Sequence, residues 1–539
     1  MTKVVLLAIN AKYVHSSLAV WVLSSSISMY AKGQYNVSVV EATINQKLTD
    51  VVECIKAHKP DFLGISTYIW NIKLLPELFS ELRKCLPNLV IALGGPEASH
   101  NAKYWLDNGA DHVICGEGEL QLPMLLDELS AGNTDIEPVF NSVNDCATSQ
   151  QSAALVDPYT DEYFSALKGR LSYIETSRGC PFQCAFCLSG DSQLKFFPMD
   201  IVKKQIHKLA SSDTKTIKFV DRTFNCNASR AYEIFEYIIR LDCQCRFHFE
   251  VAADLFDEKT LDLLSTAPLG LIQFEIGLQS FYEPALDASS RQTNLEKVVS
   301  NIKRLLQISN IHIHVDLIAG LPYETLEQFK NSFNRAYSLR PHVLQLGFLK
   351  LLHGSALRKN AASLGIEYSK VPPYEIIRSK WLSSDDLQEL KIVENALQHT
   401  YNKGRFLTTL SYILTVTGKD AYTIMLLLGT AVPNHGTQLE EYVKHIYNFF
   451  LTLPDVNENK LTDHLLCDWL GMVKGKNAPP FLKNNDDRRA LVLEKAREIL
   501  GRDVARCEYH VLSSGVGVVV DSNSRNPITG LYNIFSVVL

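Results

Sequence analysis

The chain has no run of about 18 consecutive apolar residues, the length a helix needs to cross a bilayer, so a membrane-spanning helix is not expected. It also lacks an excess of charge: 53 basic against 59 acidic residues leave a formal net charge of −6. With 46% hydrophobic and 21% charged residues, this balance argues against a disordered chain. It shows no basic surface of the kind nucleic acid needs; RNA binding is not suggested, though net charge does not rule it out. A leader-like start is missing too. In "MTKVVLLAINAKYVHSS" one lysine precedes a short apolar run that polar residues soon interrupt, which reads as a first strand and not as a signal peptide. The cytoplasm is the expected compartment. The twelve cysteines should then be reduced thiols, and the scattered Cys54, Cys85 and Cys115 read as small buried residues.

At 539 residues the chain exceeds what one core normally holds, so two to four domains are expected. From 1 to about 130, short apolar runs alternate with amphipathic segments. Five strands are read at Lys3 to Asn10, Tyr35 to Ala42, Asp61 to Tyr68, Leu89 to Pro96 and Asp111 to Glu119. The alternation predicts a Rossmann-like, doubly wound parallel sheet with helices on both faces and ligands at the carboxyl ends of the strands. Those ends carry Ser66-Thr67, Gly94-Gly95-Pro96-Glu97 and Gly116-Glu117-Gly118-Glu119. Glycine there serves either a tight turn or close approach of backbone to a flat ligand. No GxGxxG follows the first strand, so the dinucleotide fingerprint is absent.

Taken together, these ends resemble the cobalamin-binding domain found at the front of many radical S-adenosylmethionine enzymes. The resemblance implies that Ser66, Gly94, Gly95, Gly116 and Glu117 border cobalamin. It departs from the better known cobalamin folds at "NAKYVHSSLA", which lacks their Asp-x-His-x-x-Gly loop. His15 stands nearby without the glycine, so binding without a protein histidine on cobalt is the expectation.

Residues 131–168 are polar and irregular and read as a linker. A strand at Leu171 to Thr176 then runs into "GCPFQCAFC", which places Cys180, Cys184 and Cys187 in one loop. A structural zinc site would collect four ligands, commonly as two spaced pairs. Cys243 and Cys245 lie too close together beside a strand to supply the second pair. Three thiolates on an iron–sulfur cluster would leave one iron open. The C-x3-C-x2-C spacing, with Phe186 before the last cysteine, resembles the signature of the radical S-adenosylmethionine superfamily. The resemblance implies a [4Fe-4S] cluster on Cys180, Cys184 and Cys187, with S-adenosylmethionine on the fourth iron and reductive cleavage to a 5′-deoxyadenosyl radical.

That family builds a partial (β/α)6 barrel, expected over 169–365. Five further strand-like runs are read at Thr216 to Asn225, Arg246 to Asp254, Leu271 to Ser280, Ile311 to Pro322 and His342 to Leu352. Polar residues at the strand ends (Asp221, Arg222, Asn225, Glu250, Glu275, Gln279 and Asp316) serve either as structural pairs or in the site, because a carboxylate in a buried strand is costly without a partner. By resemblance, Phe186, Glu275, Gln279, Arg291, Gly320 and Leu321 contact S-adenosylmethionine. His248 and His314 read as core histidines.

From 370 to 539 the pattern predicts a mainly helical domain. Ser383 or Ser384 is a plausible N-cap, Gly404 a plausible stop, and a terminal strand pair follows. "YNKGRF" resembles a C-terminal domain of unassigned function found in this branch; Arg405 and Asp468 read as surface or capping residues. The resemblance as a whole implies a cobalamin-dependent radical enzyme that methylates an unactivated carbon of an unidentified substrate, with a flavodoxin or ferredoxin as electron donor. Two other readings stay open: a radical enzyme with a vestigial first domain and a non-methylating reaction, and an iron–sulfur redox or binding protein.

Overall fold

The computed structural model describes residues 1–133, 135–141, 156–189, 193–432, 438–474, 478–483, 488–500 and 508–538. The described chain falls into two compact units. The first comprises Met1–Thr266, Ser289–Gln292 and Leu349–Ile377, and the second Ala267–Ala288, Thr293–Phe348 and Arg378–Leu539.

Unit one begins with a parallel sheet in the order β2-β1-β3-β4-β5-β6. Its strands are β1 (Thr2–Asn10), β2 (Tyr35–Thr43), β3 (Phe62–Ser66), β4 (Val90–Gly94), β5 (His112–Cys115) and β6 (Val139–Asn141). The five expected strands are all present. The sixth, β6, lies inside the segment read as linker and pairs with β5 at Val113↔Val139. Residues 142–155 of that segment lie outside the described residues. β1 is buried on both faces from Val4 onward, as a central strand between helical layers must be. The order reverses between β1 and β3, the point at which open α/β sheets form a crevice. Here the loop after β3 closes over the end of β1: Trp70 Nε1 and Asn71 Nδ2 both donate to the Ile9 carbonyl. Contrary to the expectation of burial, Cys54 and Cys85 are exposed and Cys115 half-buried. Cys54 and Cys85 ride on the helices Leu48–His58 and Leu75–Cys85, whose core faces are filled by Val51, Val52, Ile55, Leu78 and Leu82.

A buried ion pair ties this sheet to the start of the second one. Arg170 Nη2 meets Glu41 Oε2 at 2.8 Å, and Glu41 also accepts from Asn10, Ser17 and Trp21. Past Arg170 come β7 (Ser172–Ile174), the short hairpin of β8 (Ser177–Arg178) with β9 (Lys195–Phe196), then β10 (Thr216–Phe219) and β11 (Arg246–Val251). β10 pairs in parallel with β7 and with β11, and Tyr173, Lys218 and His248 stand in register on the half-buried face.

Unit two holds three more parallel strands, β12 (Ile272–Gln279), β13 (His312–Ala319) and β14 (Val343–Phe348), paired in that order. The six expected strands are thus all present. β12 and β13 alternate strictly between buried and half-buried residues, which places Ile272, Phe274, Ile276, Ile313, Val315 and Leu317 against helices. The helix Leu326–Ser338 starts with a capping box of Thr325 and Gln328. The rest of unit two is mainly helical. Ser383 caps Ser384–His399 with Asp386 reciprocating, and Gly404 takes the left-handed conformation behind Tyr401–Lys403. The tail forms three antiparallel strands, Glu508–Val511, Val516–Arg525 and Tyr532–Val538, one more than the expected pair. Asp468 is buried, not on the surface, and accepts from the backbone N–H groups of Thr408 and Thr409 at the start of the helix Leu407–Thr417. It therefore caps that helix from a distance in sequence. Among the described residues no helix is long and apolar enough to cross a membrane.

Candidate functional site

The cysteine loop leaves β8 through Gly179, whose φ is +88°. A Cβ there would meet the Gln193 carbonyl oxygen at 2.4 Å, so only glycine passes. Inside the loop the Ala185 N–H donates to the Ser289 carbonyl, and the Leu357 N–H donates to the Ala185 carbonyl. Each thiol has a donor close by. Thr223 Oγ1 lies 3.6 Å from Cys180 Sγ, Arg291 Nη1 donates to Cys184 Sγ at 3.7 Å, and the Ser189 N–H donates to Cys187 Sγ at 3.4 Å. Burial pushes the Cys184 thiol up, Arg291 pulls it down, and Cys187 and Cys180 raise it further as like charges. Three thiols close enough to repel one another as thiolates, each facing a neutral or cationic donor, fit a metal cluster that neutralises them. Phe186 is half-buried in the same loop.

The strand ends around the loop divide by role. Asp221 is buried, accepts from the Thr176 N–H, Thr176 Oγ1 and Ser177 Oγ, and is pushed up to about 6 by that burial against the pull of the bonds. Asn225 exchanges two hydrogen bonds with the backbone of Ala252. Both are therefore structural pairs that pin the loops above β7, β10 and β11. Arg222 is exposed. Arg291 is placed beside Cys184.

In unit two Gln279 sits at a bulge of β12 with φ +70°, and its Oε1 is buried without a hydrogen-bond partner. Such an orphaned acceptor is what a ligand donor would satisfy. The next residue, Ser280, donates to Glu324, which also accepts from Ser332. Glu324 directly follows the turn of Gly320 (φ +99°), Leu321, Pro322 and Tyr323, so the network joins the ends of β12 and β13. Burial pushes Glu324 up to about 7. Leu321 is fully buried. Glu275 stands with His314 and Asp316, their ligand atoms within 4.8 Å of one another, and His314 Nε2 pairs with Asp316 Oδ1 at 2.8 Å. His314 thus belongs to a polar cluster on the half-buried face, not to the apolar core where the sequence placed it.

At the carboxyl edge of the first sheet, the Thr67 N–H and Oγ1 both donate to the Gly94 carbonyl, and Ser66 gives its carbonyl to Asn71. Gly95 has φ +102°, and a Cβ there would press on the Thr67 carbonyl oxygen at 2.6 Å. Over Gly94, by contrast, the nearest atom to an added Cβ is Ile114 O at 3.9 Å, so a methyl group fits there. Gly116 has φ +86°. Glu117 is held by Lys195 Nζ at 3.0 Å and lies 3.6 Å from Arg178. His15 does not stand free: its Nδ1 lies 2.6 Å from the Tyr173 hydroxyl, and burial, then Lys218, lowers its pKa.

Sequence reasoning missed three groups here. Tyr68 and Trp70, stacked at 4.4 Å behind β3, were legible only as an aromatic i, i+2 pair. Glu97, buried and raised in pKa by that burial, accepts from the Tyr374 hydroxyl at 2.7 Å, 277 positions away. Arg178 Nη2 lies 2.7 Å from Glu119 and 2.6 Å from Glu175; burial opposes its charge, but these carboxylates more than offset the cost. Neither long-range group leaves a local signal in the sequence.

Three family models match the chain. The Radical SAM superfamily matches residues 174–336, the B12 binding domain residues 4–126, and a protein of unknown function (DUF4080) residues 362–511. An uncharacterized methyltransferase of Pyrococcus horikoshii is 20% identical over 399 residues, covering 68% of this chain and 84% of that protein. The cobalamin-dependent radical SAM methyltransferase TokK of Streptomyces tokunonensis is 24% identical over 54% of this chain; the chain spans 47% of its length. Among solved structures, the radical S-adenosylmethionine methyltransferase TsrM from Kitasatospora setae superposes with a TM-score of 0.57 at 17% identity, covering 69% of this chain and 80% of that one. At such identity the likeness shows the fold.

Proposed function

Because the chain carries a B12 binding domain, a Radical SAM superfamily domain and a DUF4080 domain, we propose that it is a cobalamin-dependent radical S-adenosylmethionine enzyme acting as a C-methyltransferase. The observation that carries this reading is the loop of three thiols, each met by its own donor. When bound, the cluster supplies the electron that opens the sulfonium bond of S-adenosylmethionine, and cobalamin supplies a methyl group.

The chain's own residues do the rest. Cys180, Cys184 and Cys187 hold the cluster. Arg291 sets a fixed positive charge beside Cys184, which favours its thiolate. Asp221 holds Thr176 and Ser177 and so fixes the entry to the loop. Gln279 offers an acceptor at the bulge of β12, with Gly320 and Leu321 on the adjoining turn and Glu275 on the half-buried face, as the S-adenosylmethionine contacts. Ser66, Gly94, Gly95, Gly116 and Glu117 border the cobalamin edge, Glu117 acting through its ion pairs. In domain terms, 1–130 binds cobalamin, 169–365 binds the cluster and S-adenosylmethionine, and 370–539 shapes the substrate site. A flavodoxin or ferredoxin is the electron donor, and the cytoplasm the place of action.

The test is anaerobic reconstitution with iron and sulfide, followed by S-adenosylmethionine and dithionite with and without hydroxocobalamin. Release of S-adenosylhomocysteine together with 5′-deoxyadenosine, the former only with the corrinoid, is expected. Release of 5′-deoxyadenosine alone under both conditions would remove the methyl-transfer half.

A further inference from the structure

Arg178 lies two residues before Cys180, on β8, facing Lys195 across the hairpin with β9. Its guanidinium takes Glu175 at 2.6 and 2.9 Å and Glu119 at 2.7 Å, with Glu117 at 3.6 Å. Lys195 takes the other oxygen of Glu117 at 3.0 Å. Glu175 sits at the end of β7, next to the cysteine loop, whereas Glu117 and Glu119 belong to the turn that ends β5, at the carboxyl edge of the first sheet. Two bases therefore fasten the turn 116–119 to the two strands that frame the cysteines.

The fastening is stiff. A guanidinium fork can satisfy Glu119 and Glu175 together only when both carboxylates keep their places, since its donors are fixed in one plane. Glu119 is buried, so a displaced carboxylate has no water to turn to. Between Arg178 and Cys180 stands only Gly179, whose backbone passes so close to Gln193 that an added Cβ would lie 2.4 Å from its carbonyl oxygen. A shift of the turn is thus passed to the first cysteine of the loop.

We propose that Arg178, seconded by Lys195, is a positioning residue that couples the two cofactor sites, so that a corrinoid at the edge of the first sheet and the cluster with S-adenosylmethionine at the cysteine loop change each other's affinity. The inference rests on the reading that a corrinoid binds at that edge. Coupling of this kind is reciprocal and typically amounts to a factor of about 5 to 150. Removing the fork leaves both sites present and cuts the link between them.

The experiment titrates hydroxocobalamin, by its absorbance, into the full chain in two states: without cluster, and reconstituted with iron and sulfide in the presence of S-adenosylmethionine. The wild type is expected to change its Kd at least about fivefold between the two states. Arg178→Lys keeps the charge but not the fork, and Lys195→Met removes only the outer pair. Each is expected to bind hydroxocobalamin and to assemble the cluster, with the ratio of the two Kd values falling towards one. An unchanged ratio in both variants, or a ratio of one in the wild type, overturns the proposal while leaving the cofactor assignment in place. Failure of the wild type to bind hydroxocobalamin in either state overturns the corrinoid reading itself, and the coupling with it.

Discussion

The pair of Arg170 and Glu41 offers a quantitative test of how the first unit is held together. Both side chains are almost fully buried, 7% and 6% exposed. Glu41 accepts from Asn10 Nδ2 at 2.7 Å, Trp21 Nε1 at 2.8 Å, the Ser17 N–H at 3.2 Å and Arg170 Nη2 at 2.8 Å. Arg170 also donates to the Tyr13 and His15 carbonyls, so it anchors the loop after β1 to the start of β7. Arg170→Met leaves the buried Glu41 with three neutral donors and no cation, and breaking a buried pair in this way costs about 3–5 kcal/mol. Glu41→Gln strands the guanidinium in the same manner. The double variant has no orphaned charge, so its loss should fall short of the sum of the single losses by up to about 3 kcal/mol, the coupling usual for residues in direct contact. Urea unfolding followed by tryptophan fluorescence measures this, since Trp21 is itself bonded to Glu41. A cost below about 1 kcal/mol for Arg170→Met, or single costs that simply add, would refute the reasoning.

Three further outcomes are expected. Glu324 has a folded pKa of about 7 against 4.5 for the free group; the folded state then holds its proton more tightly, so the stability it contributes is full below pH 4.5 and lost as pH rises through 7. The loss is about 3 kcal/mol at 1.36 kcal/mol per unit, and urea midpoints at pH 5 and pH 8 should differ less in Glu324→Gln than in the wild type; an equal difference would count against it. Gly94→Ala has room for its Cβ, whereas Gly95→Ala meets the Thr67 carbonyl at a left-handed φ. The former should therefore keep its melting temperature but bind hydroxocobalamin more weakly, and the latter should lose about 1–3 kcal/mol of stability from backbone strain alone; unweakened binding by Gly94→Ala would move the ligand away from that strand end. Asp221→Ala should lower the iron content of the reconstituted chain, because Thr176 and Ser177 lose their shared acceptor just ahead of the cysteines; full iron occupancy would show that the pin is dispensable.

Much of the fold could be read from apolar periodicity. β1 and the alternating β12 and β13 are long enough to carry an unmistakable pattern, buried on both faces in the first case and on one in the others. The short strand Val139–Asn141 escaped because three residues in a polar segment have no period; it exists only through its pairing with β5. The run read as a strand to Asn225 ends at Phe219, because Asp221 turns back to Thr176 and Ser177 and Asn225 to Ala252. The cysteine loop was legible because its ligands lie within eight residues of one another. The groups that support it come from 59 residues away, as with Glu119 and Arg178, or 107, as with Arg291 and Cys184. Contacts at such separations are made by the fold and leave no spacing to read.

The central claim is that Cys180, Cys184 and Cys187 hold a cluster that opens S-adenosylmethionine, and the most direct measurement is 5′-deoxyadenosine release by the anaerobically reconstituted chain beside its three single Cys→Ala variants. The account predicts a brown wild type that releases 5′-deoxyadenosine on reduction, and three variants that lose both the absorbance and the product. A Cys→Ala variant that still releases 5′-deoxyadenosine at the wild-type rate would contradict it.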